Sequence, residues 1–303
     1  MKFKRLLSRI SLIAASSLTI PLYCCGLAAG QEDAAFLWAI ESPNNTVYLL
    51  GSVHVLREAD YPLPQPMQTA FEEAENVVFE VDIAELESPS SIQTVLQAAI
   101  PDSDAEVLNT ALTPEAYDLA AEAASSVGLP MVGFNNFEPW FFSISLVSLK
   151  LAQLGFESNY GVDNYLYNQA NLAGRNILSL ETVEEQIGFL DSLSPQVQVD
   201  FVEQTVLELD ILEASFNVML SAWKSGDIES FEQIVLEGFT DYPEVYETFL
   251  VQRNQNWVPD IESFVNQSED YLVVVGAAHL IGDDSVIRLL QQKGYTVQQI
   301  GTD

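Results

Sequence analysis

Only two histidines occur in the 303-residue chain, and both lie in the same local pattern. His54 ends the segment Val47–His54, and His279 ends the segment Leu272–His279. Each segment is an apolar, strand-like run followed by Gly-x-x-His, in which glycine permits a sharp turn or a close approach. Because open α/β sheets bind ligands at the carboxyl ends of their strands, the matched pair indicates a functional site. The alternative is that both histidines are core residues that cap turns.

Two glutamates follow strand-like runs and are candidates to act with the histidines. Glu80 lies near the end of the apolar run Val77–Asp82, where a carboxylate is costly to bury unless it is paired or bound to a metal ion. Glu181 follows the run Asn176–Leu180 and has a comparable position. The alternatives are a salt bridge for Glu80 and, for Glu181, a place at the start of a helix that Thr182 caps.

Arg253 and Asp163 complete the set of candidate site residues. Arg253 is one of only seven cations after residue 30, and we expect it to bind a substrate carboxylate or a developing oxyanion. Its alternatives are to neutralise the acidic surface or to pair with Glu80. Asp163 follows a glycine-valine pair, and we expect it to orient one histidine from behind or to begin a helix.

The charge of the chain excludes one class of partner. The chain has 11 Lys and Arg residues against 44 Asp and Glu residues, a net charge of −33. Because four of the basic residues lie in the first ten positions, residues 31–303 hold 7 basic and 44 acidic groups and a net charge of −37. Such a surface repels phosphate backbones and anionic lipid headgroups. We therefore expect a peptide or small-molecule substrate and no nucleic acid.

Residues 1–30 have the pattern of a secretory signal peptide. The first nine positions contain four basic residues and no acidic one, Ile10–Gly30 carry no charge, and the run ends in small residues. We expect cleavage near Gly30 and a periplasmic or secreted protein that no longer contacts the membrane. The alternative is an uncleaved membrane anchor, since the uncharged run is about as long as a bilayer span requires. Both cysteines lie in this segment, so the cleaved protein would have neither disulfide nor thiol chemistry.

The elements that position the candidate residues fall into three blocks. Apolar runs predict sheet segments at about 36–82, 176–181 and 271–303, including a last strand at Tyr295–Ile300. Helical spacing dominates the region from about 83 to 266. Because the strand-rich segments lie at both ends of the chain, we expect a mixed α/β (α+β) fold. A central sheet from the N- and C-terminal segments would carry the helical block as an insertion, within a single domain over residues 31–303.

Motifs spread along the chain resemble those of the TraB/GumN family, whose eukaryotic relatives include the Tiki proteases. The matching pieces are Leu37-Trp38-x-Ile40, Val47–His54, Tyr61–Pro64, Phe79–Asp82, Gly161–Asp163, Leu180–Thr182, Glu185-Gln186, Arg253-Asn254 and Val274–Leu280 with Gly282. The resemblance implies a metal-dependent peptidase in which His54, His279 and Glu80 serve the metal site. The family is also similar to hydrolases of the erythromycin-esterase type, in which a related histidine acts without a metal ion.

The residues and the resemblance together predict metal-assisted hydrolysis. Two histidines with Glu80 or Glu181 would hold a divalent Zn²⁺, Mn²⁺ or Co²⁺ ion and leave one position open for water. The other glutamate would act as the general base, and Arg253 would stabilise the oxyanion. Two alternatives stay open: a metal-free hydrolase with His54 as the base, and a non-catalytic binder that sequesters peptide signals.

Overall fold

Six strands form one mixed sheet in the part of the chain that the computed structural model describes, residues 34–101, 103 and 106–301. The expected signal peptide lies outside the described residues. The strands are β1 (Leu37–Glu41), β2 (Thr46–Ser52), β3 (Asn76–Phe79), β4 (Asn176–Ser179), β5 (Tyr271–Gly276) and β6 (Gln298–Gln299). Their order across the sheet is β4-β3-β5-β2-β1-β6.

The first and last parts of the chain build this sheet together. β5 runs parallel to both β3 and β2, β4 runs parallel to β3, and β1 pairs antiparallel with β2 and β6. Leu272, Val273, Val274 and Val275 are fully buried, as expected for a central parallel strand that is covered on both faces. The predicted mixed α/β fold, with its sheet drawn from both ends of the chain, is confirmed.

Helices fill the chain between the strands, most of them between β3 and β5. They are α1 (Gln65–Glu73), α2 (Ile83–Leu86), α3 (Pro89–Ala98), α4 (Leu108–Ala111), α5 (Pro114–Ser126), α6 (Pro139–Gln153), α7 (Val162–Ala173), α8 (Val183–Asp191), α9 (Pro195–Glu208), α10 (Leu212–Lys224), α11 (Ile228–Phe239), α12 (Pro243–Tyr246), α13 (Gln252–Val265) and α14 (Val286–Gln292). None of these described helices is long and apolar enough to cross a membrane.

Two strands are shorter than the apolar runs predict. β3 ends at Phe79 and not at Asp82, because the Asp82 carboxylate accepts the backbone N–H of Ala84 at 2.9 Å and thereby begins α2. Glu80 consequently lies just beyond the end of its strand. The last strand covers only Gln298–Gln299 instead of Tyr295–Ile300, because only that pair of residues aligns with β1.

Candidate active site

Each of the four parallel strands is followed by one of the residues expected from the sequence. Across the sheet, Glu181 follows β4, Glu80 follows β3, His279 follows β5 and His54 follows β2. Because these neighbouring strands run in the same direction, all four residues lie at the carboxyl edge of the sheet. Helices supply the other two: Asp163 lies in the first turn of α7 and Arg253 in the first turn of α13.

Gly276, the glycine of the second Gly-x-x-His unit, marks the centre of the group. A Cβ atom at this position would lie 3.3 Å from Glu80 Oε1, 3.5 Å from His279 Cδ2 and 3.8 Å from His54 Nε2. These three side chains therefore border the same small space, which any larger residue would fill. The Gly276 backbone N–H donates to Glu80 Oε1 at 2.6 Å. Its φ of −51° is an ordinary value, so close approach explains the glycine.

Gly51, the glycine of the first unit, is also explained by close approach. A Cβ atom there would lie 2.8 Å from Phe36 Cδ1 and 3.0 Å from Ala277 Cα. Neither motif glycine has a positive φ, so the sharp turn that the pattern allowed is not the reason for either residue.

His54 is the accessible member of the pair, with 65% of its side chain exposed. Its Nδ1 lies 2.7 Å from Asp163 Oδ2, so Asp163 lies behind the ring and Nε2 faces the space beside Gly276. The Asp163 carboxylate raises the pKa of His54 to about 9. The chain before Asp163 also packs tightly here, because a Cβ atom at Gly161 would lie 2.2 Å from the His54 carbonyl oxygen.

His279, in contrast, is buried, with 4% of its surface exposed. Its Nδ1 lies 2.7 Å from Asn254 Oδ1, and its Nε2 lies 3.2 Å from Arg253 Nη1. The ring packs against Trp257 with 4.5 Å between the ring centroids. Burial lowers the pKa of His279 to about 3, so this imidazole is neutral at physiological pH.

Arg253 joins the two glutamates and the buried histidine. Its Nε and Nη2 donate to Glu181 at 3.1 and 2.6 Å, and Nη2 also donates to Glu80 Oε2 at 2.6 Å. Its Nη1 contacts His279 Nε2 and donates to the Phe249 carbonyl at 3.3 Å. An arginine side chain has five N–H groups. The contacts above supply five acceptor atoms, so each N–H group of Arg253 has an acceptor within the protein. The pairing with Glu80 that the sequence left as an alternative is therefore present.

The surroundings of Glu181 occupy both of its oxygens. Besides Arg253, Trp257 Nε1 donates to Oε2 at 3.1 Å and Gln186 Nε2 donates to Oε1 at 3.3 Å. The start of α8 is capped by the reciprocal contacts of Thr182 and Glu185. Glu181 is therefore the neighbour of a helix cap and is itself held in the ion-pair network.

Glu80 is buried, and its two carboxylate oxygens have different partners. Oε2 accepts from Arg253, whereas Oε1 accepts from the Gly276 N–H and lies 3.8 Å from His279 Nε2. Burial alone would raise the pKa of Glu80, but Arg253 and the two histidines lower it to about 2. Glu80 is thus ionised and adds negative charge beside His54.

Three residues of the site had no role in the sequence interpretation. Asn254 and Gln186 were part of the family motifs but carried no assigned function, and Trp257 was absent from them. Trp257 follows Arg253 by four positions, so both lie on the same face of α13. That spacing is a signal that could have identified Trp257. The contacts of Asn254 join it to residues 25 and 30 positions away and leave no comparable local pattern.

The donor atoms of the site do not form the expected metal centre as they are arranged. Among the residues that the structure describes, no group of three His, Cys, Asp or Glu side chains is placed to hold a metal ion. His279 Nε2, Glu80 Oε2 and both oxygens of Glu181 contact Arg253. This leaves His54 Nε2 and Glu80 Oε1, one donor short of a three-ligand protein site. The positive charge between the carboxylates comes from Arg253.

Comparison with known proteins identifies relatives in bacteria and in animals. The chain is 22% identical over 248 residues to the uncharacterized protein YbaP of Escherichia coli K12, covering 82% of this chain and 89% of YbaP. It is 22% identical over 323 residues to Metalloprotease TIKI2 of Xenopus tropicalis, covering 90% of this chain. The corresponding protein of Danio rerio is 23% identical over 331 residues. The chain spans 61% and 62% of the lengths of these two TIKI2 proteins.

No solved structure matches the chain. The model of one protein family, described as the TraB/PrgY/gumN family, matches residues 36–299. The match covers all six strands and both Gly-x-x-His units. The chain therefore belongs to the TraB/PrgY/gumN family.

Proposed function

We propose that this chain is a hydrolase of peptide bonds or related acyl bonds, with its reaction centre beside Gly276. The observation that carries the proposal is the convergence of His54, His279 and Glu80 on one small space, with an accessible imidazole that has a carboxylate behind it. The names of the TIKI2 relatives support proteolysis as the class of reaction. The high negative charge of the chain supports a substrate other than nucleic acid.

His54 would carry out the proton transfers. Its neutral Nε2 would remove a proton from a water molecule while the water oxygen attacks the substrate carbonyl carbon. The imidazolium that forms would be stabilised by Asp163, and it would then return the proton to the leaving nitrogen as the carbon–nitrogen bond breaks. Because the pKa of His54 is about 9, the neutral form and the rate should increase as pH rises towards that value.

The buried residues would hold this centre in place. Arg253 keeps Glu80 ionised and directs Oε1 towards the space beside Gly276, while Glu181 anchors Arg253 from the other side. In this arrangement Arg253 has no N–H group left for an oxyanion. We therefore propose that Arg253 and Glu181 position the site, with Glu80 as the carboxylate nearer to the reacting atoms.

A metal-dependent version is the second candidate, and the names of the TIKI2 relatives favour it. Zn²⁺, Mn²⁺ or Co²⁺ would supply a polarised water molecule when bound. The residues as arranged do not fit that ion, because Arg253 contacts the donor atoms that it would require.

Hydrolysis of a peptide library in the presence of a chelator tests the proposal. The exported form would be incubated with the library and EDTA, products would be identified by mass spectrometry, and His54→Gln would serve as the inactive control. We expect cleavage by the wild type and none by the variant. Activity that EDTA abolishes and one divalent metal restores would favour the metal-dependent version. Stoichiometric peptide binding without any cleavage would identify a binder and contradict the hydrolase proposal.

We also propose that the chain is exported, because its basic start and uncharged Ile10–Gly30 segment match a signal peptide. N-terminal sequencing of the exported protein should find a start near Gln31. An intact Met1 on membrane-bound protein would contradict this.

A further inference from the structure

A chain of hydrogen bonds crosses the buried side of the site, and each of its two ends has a fixed polarity. At one end, Asn254 Nδ2 donates to the backbone carbonyl of Asp284 at 2.8 Å. At the other end, Arg253 Nη1 lies 3.2 Å from His279 Nε2. A carbonyl oxygen only accepts hydrogen bonds and a guanidinium only donates them. The polarity of every group between these ends follows.

The Asp284 carbonyl determines the orientation of the Asn254 amide, because only the NH₂ group can donate to it. Asn254 Oδ1 is therefore the atom that faces His279 Nδ1 at 2.7 Å. Since that oxygen only accepts, Nδ1 must carry the ring proton. His279 Nε2 is then unprotonated and accepts from Arg253, which agrees with the donor at the far end.

We infer that Asn254 is a positioning residue that holds His279 as the Nδ1–H tautomer, with the lone pair of Nε2 directed at Arg253. Asn254 is 1% exposed and His279 is 4% exposed, so water does not compete for either contact. The inference deepens the proposed hydrolase and rests on it for its catalytic consequence. The tautomer itself can be measured without any activity.

The assignment separates two histidines that the sequence presents as equivalent. His54 has a carboxylate behind its ring, whereas His279 has an amide. A carboxylate stabilises the charged imidazolium, and an amide oxygen accepts a hydrogen bond without adding charge. The pair therefore consists of one histidine that exchanges protons and one that stays neutral and keeps Arg253 in place between the glutamates.

Nitrogen-15 NMR of the histidine rings is the direct test, because the chain has only two histidines. Long-range proton–nitrogen correlations at neutral pH show which ring nitrogen carries the proton, and His54→Gln assigns the two sets of signals. We expect the wild-type His279 ring to be a single Nδ1–H tautomer. A wild-type ring with its proton on Nε2 would overturn the inference, whatever the variants do.

Two substitutions of similar size separate the histidine contact from the loop contact. Asn254→Leu removes both the acceptor for His279 and the donor for Asp284, whereas Asn254→Asp keeps the acceptor, loses the donor and adds a negative charge. We expect Asn254→Leu to give a mixture of tautomers and to lower kcat about 10- to 100-fold, as for other residues that orient a reacting group from behind. Asn254→Asp should retain the Nδ1 proton, and its carboxylate should raise the pKa of His279 above that of the wild type.

The outcomes distinguish this inference from the proposed function. If the wild type cleaves peptides but Asn254→Leu keeps one tautomer and its full kcat, the inference is wrong and the hydrolase stands. If the wild type has the expected tautomer but cleaves nothing, the hydrolase proposal fails on its own. Loss of the Nδ1 proton in Asn254→Asp as well as in Asn254→Leu would show that the Asp284 loop contact matters and would contradict a role of the Asn254 oxygen through His279.

Discussion

The group behind each imidazole determines what that histidine can do. Asp163 places a negative charge 2.7 Å from the His54 ring, and Asn254 places a neutral oxygen at the same distance from the His279 ring. Exposure acts in the same direction, because His54 is accessible and His279 is buried. We therefore propose that, of two residues in matching sequence contexts, His54 exchanges protons and His279 stays neutral.

The pKa of His54 gives a prediction at this scale. The folded-state value of about 9 lies above the ordinary histidine value, so the His54–Asp163 contact should stabilise the fold below the ordinary pKa and lose that contribution as pH rises through about 9. In Asp163→Asn, the His54 pKa should fall towards about 6.5. A pH titration of the His54 ring by NMR measures it directly, and an unchanged midpoint would contradict the role given to Asp163.

Arg253 gives a second prediction, in stability. Arg253→Met leaves two buried carboxylates without their partner, which should cost about 3–5 kcal/mol of unfolding free energy. The matched control is Arg288→Met, since Arg288 is 58% exposed and lies 3.9 Å from Asp283. That change should stay within about 0.5 kcal/mol. Urea denaturation of both variants measures the difference in unfolding free energy. Equal losses in the two variants would contradict a stabilising role for the ion pairs of Arg253.

The limits of the sequence are clearest at these residues. The Gly-x-x-His repeat predicted a shared sheet edge, because a strand followed by glycine is a local pattern that the fold preserves. It could not predict which ring Asp163 lies behind, since Asp163 is 109 positions from His54, or that Asn254 takes the corresponding place at His279. Pairing of Arg253 with Glu80 was one open alternative, but its full set of acceptors was not predictable, because Glu80, Glu181 and His279 follow β3, β4 and β5, which only the folded sheet brings together.

Among the secondary-structure elements, the parallel strands position most of the candidate site residues. β4, β3, β5 and β2 are each followed by one candidate site residue, so the sheet spaces four groups at neighbouring strand positions. The apolar runs and glycine punctuation were enough to predict these strands. The order of the strands was not, because it depends on long-range pairing of β5 between β2 and β3. The helical insertion then supplies Asp163 and Arg253.

The two motif glycines should respond differently to the same substitution. Gly276→Ala places a methyl group among Glu80, His54 and His279, with its closest contact 3.3 Å from Glu80 Oε1. Because Glu80 need shift only slightly, the protein should fold with a small loss of stability and lose most hydrolysis. Gly51→Ala presses on the side chain of Phe36 and on the backbone, which should cost about 1–3 kcal/mol. Thermal denaturation together with peptide hydrolysis separates the two effects. An active Gly276→Ala enzyme would argue against a reaction centre at this position.

At the scale of the whole molecule, charge is the dominant property. Residues 31–303 carry a net charge of −37, so like charges repel one another across the folded surface. Salt shortens the range of that repulsion, from a Debye length of about 8 Å at physiological ionic strength to about 3 Å at molar concentration. We expect the melting temperature to rise between dilute buffer and molar NaCl. A melting temperature that salt leaves unchanged or lowers would contradict this expectation.

We propose that the residues at the carboxyl ends of the parallel strands form one hydrolytic site. A double-mutant cycle of the two histidines, with peptide hydrolysis as the readout, is the sharpest test of this proposal. The measurement compares kcat/KM for one cleaved peptide in the wild type, His54→Gln, His279→Gln and the double variant. We expect kcat/KM to fall severely in each single variant. The double variant should be no less active than the more damaged single variant, because either change already disables the shared centre. Wild-type rates in either single variant, or losses that simply multiply in the double variant, would contradict it.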